Sequence, residues 1–93
     1  MTPLVTSVRF LHASALDRQQ GLLGWAEFTL HGQLRISGST VRRTRGGRVR
    51  AFGPERIDRL GRLHRVVDVL DAELEREIEE QLLVALKAQG VLP

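Results

Sequence analysis

Residues 22–40 read LLGWAEFTLHGQLRISGST, and apolar and polar residues alternate on both sides of a short polar interruption. Successive side chains of a β-strand point to opposite faces, so a run of this kind predicts a strand with one buried face. Two such runs separated by a few polar or glycine residues predict a β-hairpin. We therefore expect one strand at 22–30 and a second from residue 34 onward, joined by a tight loop.

The length of that loop follows from the register of the two strands. A two-residue loop at 31–32 would set Phe28 opposite Arg35 and bring an arginine onto the apolar face. A three-residue loop at 31–33 sets Phe28 opposite Ile36 instead. Because a slip of one residue exchanges the two faces of a strand, we predict the three-residue loop.

Further strands are predicted on both sides of this hairpin. β-Branched and aromatic residues are concentrated near the N-terminus and again just before the acidic C-terminal third, which favours extended structure. Together the predicted strands are 4–11, 22–30, 34–45, 48–52 and 63–69. The polar segment 12–21 is predicted to be a loop. The segment 53–62 contains Pro54 and Gly61, so a loop or a short turn of helix is expected there.

The last element is a helix predicted at 72–89. Asp71 is placed to accept hydrogen bonds from the first-turn amides, and Gly90 provides a C-terminal stop. Apolar residues recur at helical spacing, namely Leu74, Ile78, Leu82, Ala85 and Leu86. The outward face is mainly acidic, with Glu73, Arg76, Glu77 and Glu80. The expected fold class is α+β: an antiparallel sheet built from hairpins, followed by one C-terminal amphipathic helix, in a single domain of residues 1–93.

The composition excludes several classes of protein. A chain of 93 residues forms one domain, and 42% hydrophobic with 27% charged residues is typical of a globular protein. The absence of cysteine excludes disulfide scaffolds, thiolate zinc sites and cysteine nucleophiles. No apolar run approaches the ~18–20 residues of a membrane span. The N-terminus lacks the basic patch and apolar stretch of a secretory signal, so we expect a cytoplasmic protein without membrane contact.

Positive charge is concentrated in the middle of the chain. The net charge is +3, but residues 1–34 sum to zero and residues 66–93 sum to −5. Residues 35–65 carry ten arginines against Glu55 and Asp58, which gives +8. The guanidinium group suits bidentate contacts with phosphate. A central third with this charge predicts a surface that binds a polyanion.

A second predicted hairpin carries half of these arginines. With Gly46-Gly47 as a two-residue loop, Arg45 lies opposite Arg48 and Arg43 opposite Arg50, and all four share one face. Like charges directly opposite each other destabilise a sheet, so bound phosphate or an acidic partner surface is expected to offset the repulsion. The alternative is a mobile tip whose arginines splay into water. The predicted nucleic-acid-binding residues are Arg42, Arg43, Arg45, Arg48, Arg50, Arg56, Arg59 and Arg62.

Residues with catalytic or metal-binding spacing are missing from the sequence. Gly46-Gly47 lacks the lysine and hydroxyl residue of a phosphate-binding loop, and no serine lies in a nucleophile elbow. His12, His31 and His64 are far apart and none has metal-ligand spacing with an acid. We expect no enzyme activity, no cofactor, no metal and no small-molecule substrate. Trp25 has two interpretations: a platform on which a base stacks, or a packing residue in the core or a dimer.

Three places in the sequence resemble the SpoVG family of small bacterial proteins. The first is VTSVR at 5–9, and the second is the pair FTL and LRI at 28–30 and 34–36, separated by three residues. The third combines Pro54-Glu55-Arg56, Gly61, Val66, Asp71 and Glu77-Ile78-Glu79. The resemblance extends from Val5 to about Ala88, and it depends on the order and spacing of these strings together.

The resemblance implies an α+β homodimer that binds DNA and RNA and regulates gene expression, cell-division septation or sporulation without catalysis. The basic positions that match the family are Arg56, Arg62 and His64. The sequence departs from the family pattern in the arginine-rich strand at 48–52 and in the acidic face of the helix, which favours the arginine hairpin as the binding surface. The alternative function is a protein-interaction module whose basic tract docks an acidic protein surface, such as the helix of a neighbouring copy.

Overall fold

The computed structural model describes residues 3–92 and has the predicted α+β architecture. The elements are β1 (Val5–His12), α1 (Ala15–Gln19), β2 (Leu22–Leu30), β3 (Leu34–Arg43), β4 (Val49–Phe52), β5 (Glu55–Ile57), β6 (Leu63–Arg65) and α2 (Ala72–Ala88). Strands β1 to β4 form one antiparallel sheet in chain order, and β5 pairs with β6 in a separate two-stranded sheet.

The hairpin of β2 and β3 has the predicted register next to its loop, and the pairing shifts by one residue farther along, between Phe28 and Ala26. Leu30 pairs with Leu34 and Phe28 with Ile36, so the loop between the strands has three residues. Ala26 and Phe28 are buried on the core face, whereas Trp25 lies on the opposite face and is only half-buried. The alternation of apolar and polar residues therefore fixed both the faces and the loop length.

Helix α2 covers one face of the four-stranded sheet. Its N-cap Asp71 accepts hydrogen bonds from the amides of Glu73 and Leu74, as the sequence predicts. The apolar stripe of the helix packs on inward-facing strand residues. The buried core consists of Val5, Ala26, Phe28, Val41, Leu82 and Leu86.

Side chains of α2 also bond to both edge strands of this sheet. The Val5 amide donates to Gln81 Oε1 at 2.9 Å on the β1 edge, and the Ala51 amide donates to Glu79 Oε2 at 2.9 Å on the β4 edge. Exposed edge amides are templates for pairing with another chain. The helix therefore occupies part of each edge and holds β4 against the body of the protein.

The structure differs from the prediction in the segment 12–21 and in the strands of the second hairpin. The loop expected at 12–21 contains the short helix α1, because Ser14 Oγ accepts a hydrogen bond from the Asp17 amide at 3.2 Å and caps its first turn. The predicted strand 34–45 ends at Arg43, and the predicted strand 48–52 begins at Val49.

The region from 53 to 69 also differs from the prediction. Residues 55–57 form β5, where a loop or helical turn was expected. The predicted strand 63–69 is paired only as far as Arg65, because its partner strand is three residues long and follows Pro54. Beyond this point the Val66 amide donates to the Pro54 carbonyl oxygen at 2.9 Å, and no ladder continues. Within residues 3–92, no helix is long and apolar enough to cross a membrane.

Candidate nucleic-acid interface

The loop between β3 and β4 presents the densest group of arginines. We call Arg42, Arg43, Arg45 and Arg48 the arginine tip; all four side chains are exposed. The Thr44 amide donates to the Arg48 carbonyl oxygen at 2.8 Å, which closes a three-residue loop at 45–47. The Gly47 amide donates to the Thr44 carbonyl oxygen at 2.9 Å, and Gly47 has a φ of 82°. A turn followed by a left-handed glycine is a standard three-residue hairpin loop.

The predicted two-residue loop at Gly46-Gly47 is therefore wrong. Arg43 pairs with Val49 and Arg42 pairs with Arg50, so the register differs by one residue from the prediction. Strand alternation then places Arg42, Arg48 and Arg50 on one face and Arg43 on the other. The expectation that four guanidinium groups share one face is also wrong, although Arg42 and Arg50 do lie directly opposite each other.

A carboxylate of α2 offsets the repulsion between Arg42 and Arg50. Arg50 Nε donates to both carboxylate oxygens of Glu79, at 3.0 and 3.2 Å, while the same carboxylate accepts from the Ala51 amide. The Arg50 guanidinium also lies 5.6 Å from the ring centroid of Phe52. Arg50 thus joins the edge strand to the helix. Sequence reasoning missed this role because no local pattern relates two residues that are 29 positions apart.

The arginine tip itself has no such compensation. Among residues 3–92, the ion pairs are Arg50 with Glu79, His64 with Asp58 and Arg65 with Asp68, and no member of the arginine tip takes part. Two charges 4 Å apart in water interact by only about 1 kcal/mol, so exposed arginines can be held close together at modest cost. The fold therefore holds four uncompensated cations on one short projection.

The other predicted arginines lie in the second sheet. Arg56 is on β5 opposite His64 of β6, and Arg59 and Arg62 lie in or beside the turn that joins these strands. The three are interspersed with exposed apolar side chains: Ile57, Leu60 and Leu63. The eight predicted site residues thus form three groups, which are the arginine tip, the helix-bonded Arg50 and the arginines of the β5–β6 hairpin.

Asp58 builds the turn between β5 and β6. Its Oδ1 accepts from the amides of Leu60 and Arg62 at 2.8 and 2.9 Å, and its Oδ2 lies 2.7 Å from His64 Nε2. An ionised carboxylate only accepts, so Nε2 carries the proton in this contact. The hydrogen bond from His64, together with those from the Arg62 and Leu60 amides, holds the pKa of Asp58 below its ordinary value of 3.8.

Trp25 lies on the sheet face that points away from the core. It pairs with Leu11 on β1 and with Thr40 on β3, and its side chain is half-buried. The Thr40 hydroxyl beside it is buried and has no hydrogen-bond partner within residues 3–92. Trp25 is therefore not a core residue, and the accessible part of its ring can contact a base or a second copy of the chain.

The rest of the described chain offers no metal cluster: within residues 3–92, no three histidine or acidic side chains converge as metal ligands would. A scan against models of known protein families finds none that matches this chain, and a search of curated proteins finds no relative. The fold and the arrangement of arginines define a small α+β protein with a basic hairpin projection.

Proposed function

We propose that this protein is a homodimeric, non-catalytic regulator that binds DNA or RNA through the phosphate backbone. The observation that supports the proposal is the arginine tip: four exposed arginines on one hairpin, with no carboxylate partner among residues 3–92. A polyanion at this projection would gain four phosphate contacts and release the counterions that the phosphates hold.

The arginine tip favours contacts that carry little sequence information. Phosphate contacts fix the position of a protein on a nucleic acid, whereas hydrogen bonds to base edges read its sequence. Arginine side chains on both faces of a narrow hairpin suit the two backbones that border a groove. In this proposal Trp25 adds a stacking contact with a base, and Arg56, Arg59 and Arg62 extend the basic surface.

The resemblance to the SpoVG family adds a physiological context to the proposal. It suggests a cytoplasmic regulator of gene expression, septation or sporulation. Two copies in one particle would carry two arginine tips, and the second tip would bind as an intramolecular event at a high effective concentration. Affinity for a long nucleic acid would then exceed that of a single tip.

Salt dependence of binding tests the proposal. Fluorescence polarisation with a short duplex DNA and a short RNA, measured over a series of salt concentrations, gives the slope of log K against log [salt]. We expect Arg45→Ala with Arg48→Ala to reduce that slope by about 1.8 per chain on duplex DNA, because each phosphate contact contributes roughly 0.9. Both side chains are exposed and form no ion pair with any residue from 3 to 92, so the fold should be unaffected.

The matched control removes the same charge elsewhere. Arg18→Ala with Arg35→Ala deletes two exposed arginines that lie on α1 and at the start of β3, outside the arginine tip. The slope should then stay at the wild-type value. Equal losses in the two double variants would show that only net charge matters, and the absence of binding at low salt would exclude the nucleic-acid function.

The protein-interaction module remains the second candidate, and a specific observation favours it. The arginines of the β5–β6 hairpin are interspersed with exposed apolar side chains, a composition typical of protein interfaces. Assembly that depends on concentration, with no response to nucleic acid, would support this function alone.

A further inference from the structure

The β5–β6 hairpin and the segment after it expose a row of large apolar side chains. Their exposed fractions are 70% for Ile57, 74% for Leu60, 62% for Leu63, 58% for Val66 and 92% for Leu70. Single exposed apolar residues are common, but Ile57 and Leu63 are a cross-strand pair and form a contiguous apolar patch, which is typical of an interaction site. A two-stranded sheet is also marginally stable in water by itself, so this hairpin gains stability when another surface covers it.

An open apolar groove lies beside α2, next to the same hairpin. Its walls come from the sheet, the helix and the chain that returns from β6, and they include Phe28, Ile36, Val67, Val69, Ile78 and Leu82. The cavity holds about 120 Å³. An apolar cavity of roughly 150 Å³ takes up a benzene molecule, so this groove accommodates an aliphatic side chain.

The groove and the hairpin form one continuous surface. Glu55 and Arg65 face each other across the two strands and line the groove. The next cross-strand pair on the same face is Ile57 with Leu63, because side chains alternate along a strand. The face that lines the groove therefore continues outward to two exposed aliphatic side chains.

The charges of the hairpin and the helix are complementary. Residues 55–65 carry four arginines against Glu55 and Asp58, which gives +2. Residues 72–88 carry five glutamates against Arg76 and Lys87, which gives −3. One of these glutamates, Glu75, lies in the wall of the groove and has no ion-pair partner in residues 3–92.

We propose that the groove binds the β5–β6 hairpin of a second copy of this chain, in a reciprocal exchange across a two-fold axis. Leu63 of each copy enters the groove of the other, Ile57 packs at its rim, and the hairpin arginines meet the acidic helix. A second copy is favoured over an unrelated partner because one chain supplies both halves: an apolar basic hairpin and an apolar groove with an acidic rim. An isologous contact uses each half twice.

The proposed function includes a homodimer, and this inference identifies the surface through which the two copies contact each other. It rests on the proposed function only in assuming that a homodimer forms. The arginine tips take no part in the contact and stay free for nucleic acid. In such a dimer Arg59 and Arg62 would lie against glutamates of the other copy, so they would no longer extend the nucleic-acid surface, and the phosphates would be left to the arginine tip.

Sedimentation velocity over a wide range of protein concentration tests the contact. We expect the wild-type protein to dimerise and Leu63→Lys to raise the dimer dissociation constant about 30-fold or more, because the ammonium would be buried where an aliphatic anchor belongs. The matched control is Leu16→Lys, at a leucine that is 65% exposed on α1. It adds the same charge outside the interface and should leave the dissociation constant unchanged.

One variant in the groove and a second variant on the hairpin complete the test. Glu75→Lys reverses the charge in the groove wall and should weaken the dimer as well, and Ile57→Lys should behave like Leu63→Lys. A monomeric wild-type protein, an unchanged dimer in Leu63→Lys, or equal weakening by Leu16→Lys would overturn the inference. Circular dichroism verifies that the exposed substitutions leave each fold intact.

The two proposals fail in different measurements. If the dimer dissociates in Leu63→Lys while the wild-type protein binds no nucleic acid at low salt, only the nucleic-acid function is wrong. If nucleic acid binds through the arginine tip while Leu63→Lys dimerises normally, only the contact surface is wrong.

Discussion

Two hairpins of this protein carry arginines, and they differ in what surrounds the charge. The arginine tip of β3–β4 has glycine and threonine between its arginines, and its cations have no carboxylate partner within residues 3–92. The β5–β6 hairpin places arginines between exposed Ile57, Leu60 and Leu63, and it contains its own carboxylates, Glu55 and Asp58. Arginine therefore occurs on two surfaces that differ in composition: one is polar and the other contains exposed aliphatic side chains.

The comparison shows that arginine count alone does not define a nucleic-acid site. A cation without apolar neighbours binds a phosphate at little desolvation cost, whereas arginine with exposed aliphatic residues is the composition of protein interfaces. In the sequence alone, the two hairpins are parts of one basic segment, residues 35–65, with a net charge of +8. Their separation into two sheets is the basis on which we propose different partners for them.

The largest expected effect concerns the base of the arginine tip. Glu79→Ala removes the carboxylate that holds both the Arg50 side chain and the Ala51 amide, so it should lower the free energy of unfolding by about 2 kcal/mol. Urea denaturation measures the change. Glu80→Ala, at an exposed neighbour on the same helix, should leave the midpoint unchanged. Equal midpoints for Glu79→Ala and the wild-type protein would show that α2 does not hold β4.

Substitutions in the loop sharpen the comparison, because they separate the observed three-residue loop from the two-residue loop that the sequence predicts. Gly47 has a φ of 82°, and Gly46 is not left-handed. Gly47→Ala should therefore destabilise the protein by about 1 kcal/mol and Gly46→Ala by much less. A two-residue loop of type I′ needs a positive φ at both positions, so equal costs in thermal unfolding would contradict the observed loop.

The loop of β2–β3 was predicted correctly and the loop of β3–β4 was not, and the reason lies in which side chains are buried. The register of β2–β3 was predictable because a slip of one residue would move Phe28 and Ile36 off the buried face. At the arginine tip the observed register sets Val41 opposite Ala51, whereas the predicted register sets Val41 opposite Phe52. Both registers give Val41 an apolar partner, so the apolar pattern of this short strand does not decide between them. The terminal helix was predictable for the same reason as β2–β3, since its stripe and its Asp71 cap agree.

Contacts between segments that are distant in the chain could not be predicted from the sequence. The β5–β6 pairing lacks a buried face, since Ile57 and Leu63 are exposed, and so it left no alternating pattern to detect. The ion pair of Arg50 with Glu79 joins a strand to a helix, and nothing local in either segment indicates it. Of the predicted site, the four members of the arginine tip lie together, and the role of Arg50 emerges only from the fold.

The smallest expected effect is a response to acid that separates the two hairpins. Asp58 has a lowered pKa in the folded protein, so its contribution to the stability of the β5–β6 turn is present above its unfolded pKa of about 3.9 and is lost as the pH falls through the lower folded value. Hydrogen exchange should then speed up at the amides of Leu60 and Arg62, which donate to Asp58. The amide of Gly47 donates to a backbone carbonyl, so the same acidification should leave its protection unchanged once the intrinsic pH dependence of exchange is subtracted. Asp58→Asn supplies the control, because it removes the titrating group from the turn and should abolish the difference between the two hairpins. If both loops opened together in the wild-type protein, the acid response would belong to the whole fold, and Asp58 would not set the stability of its own turn.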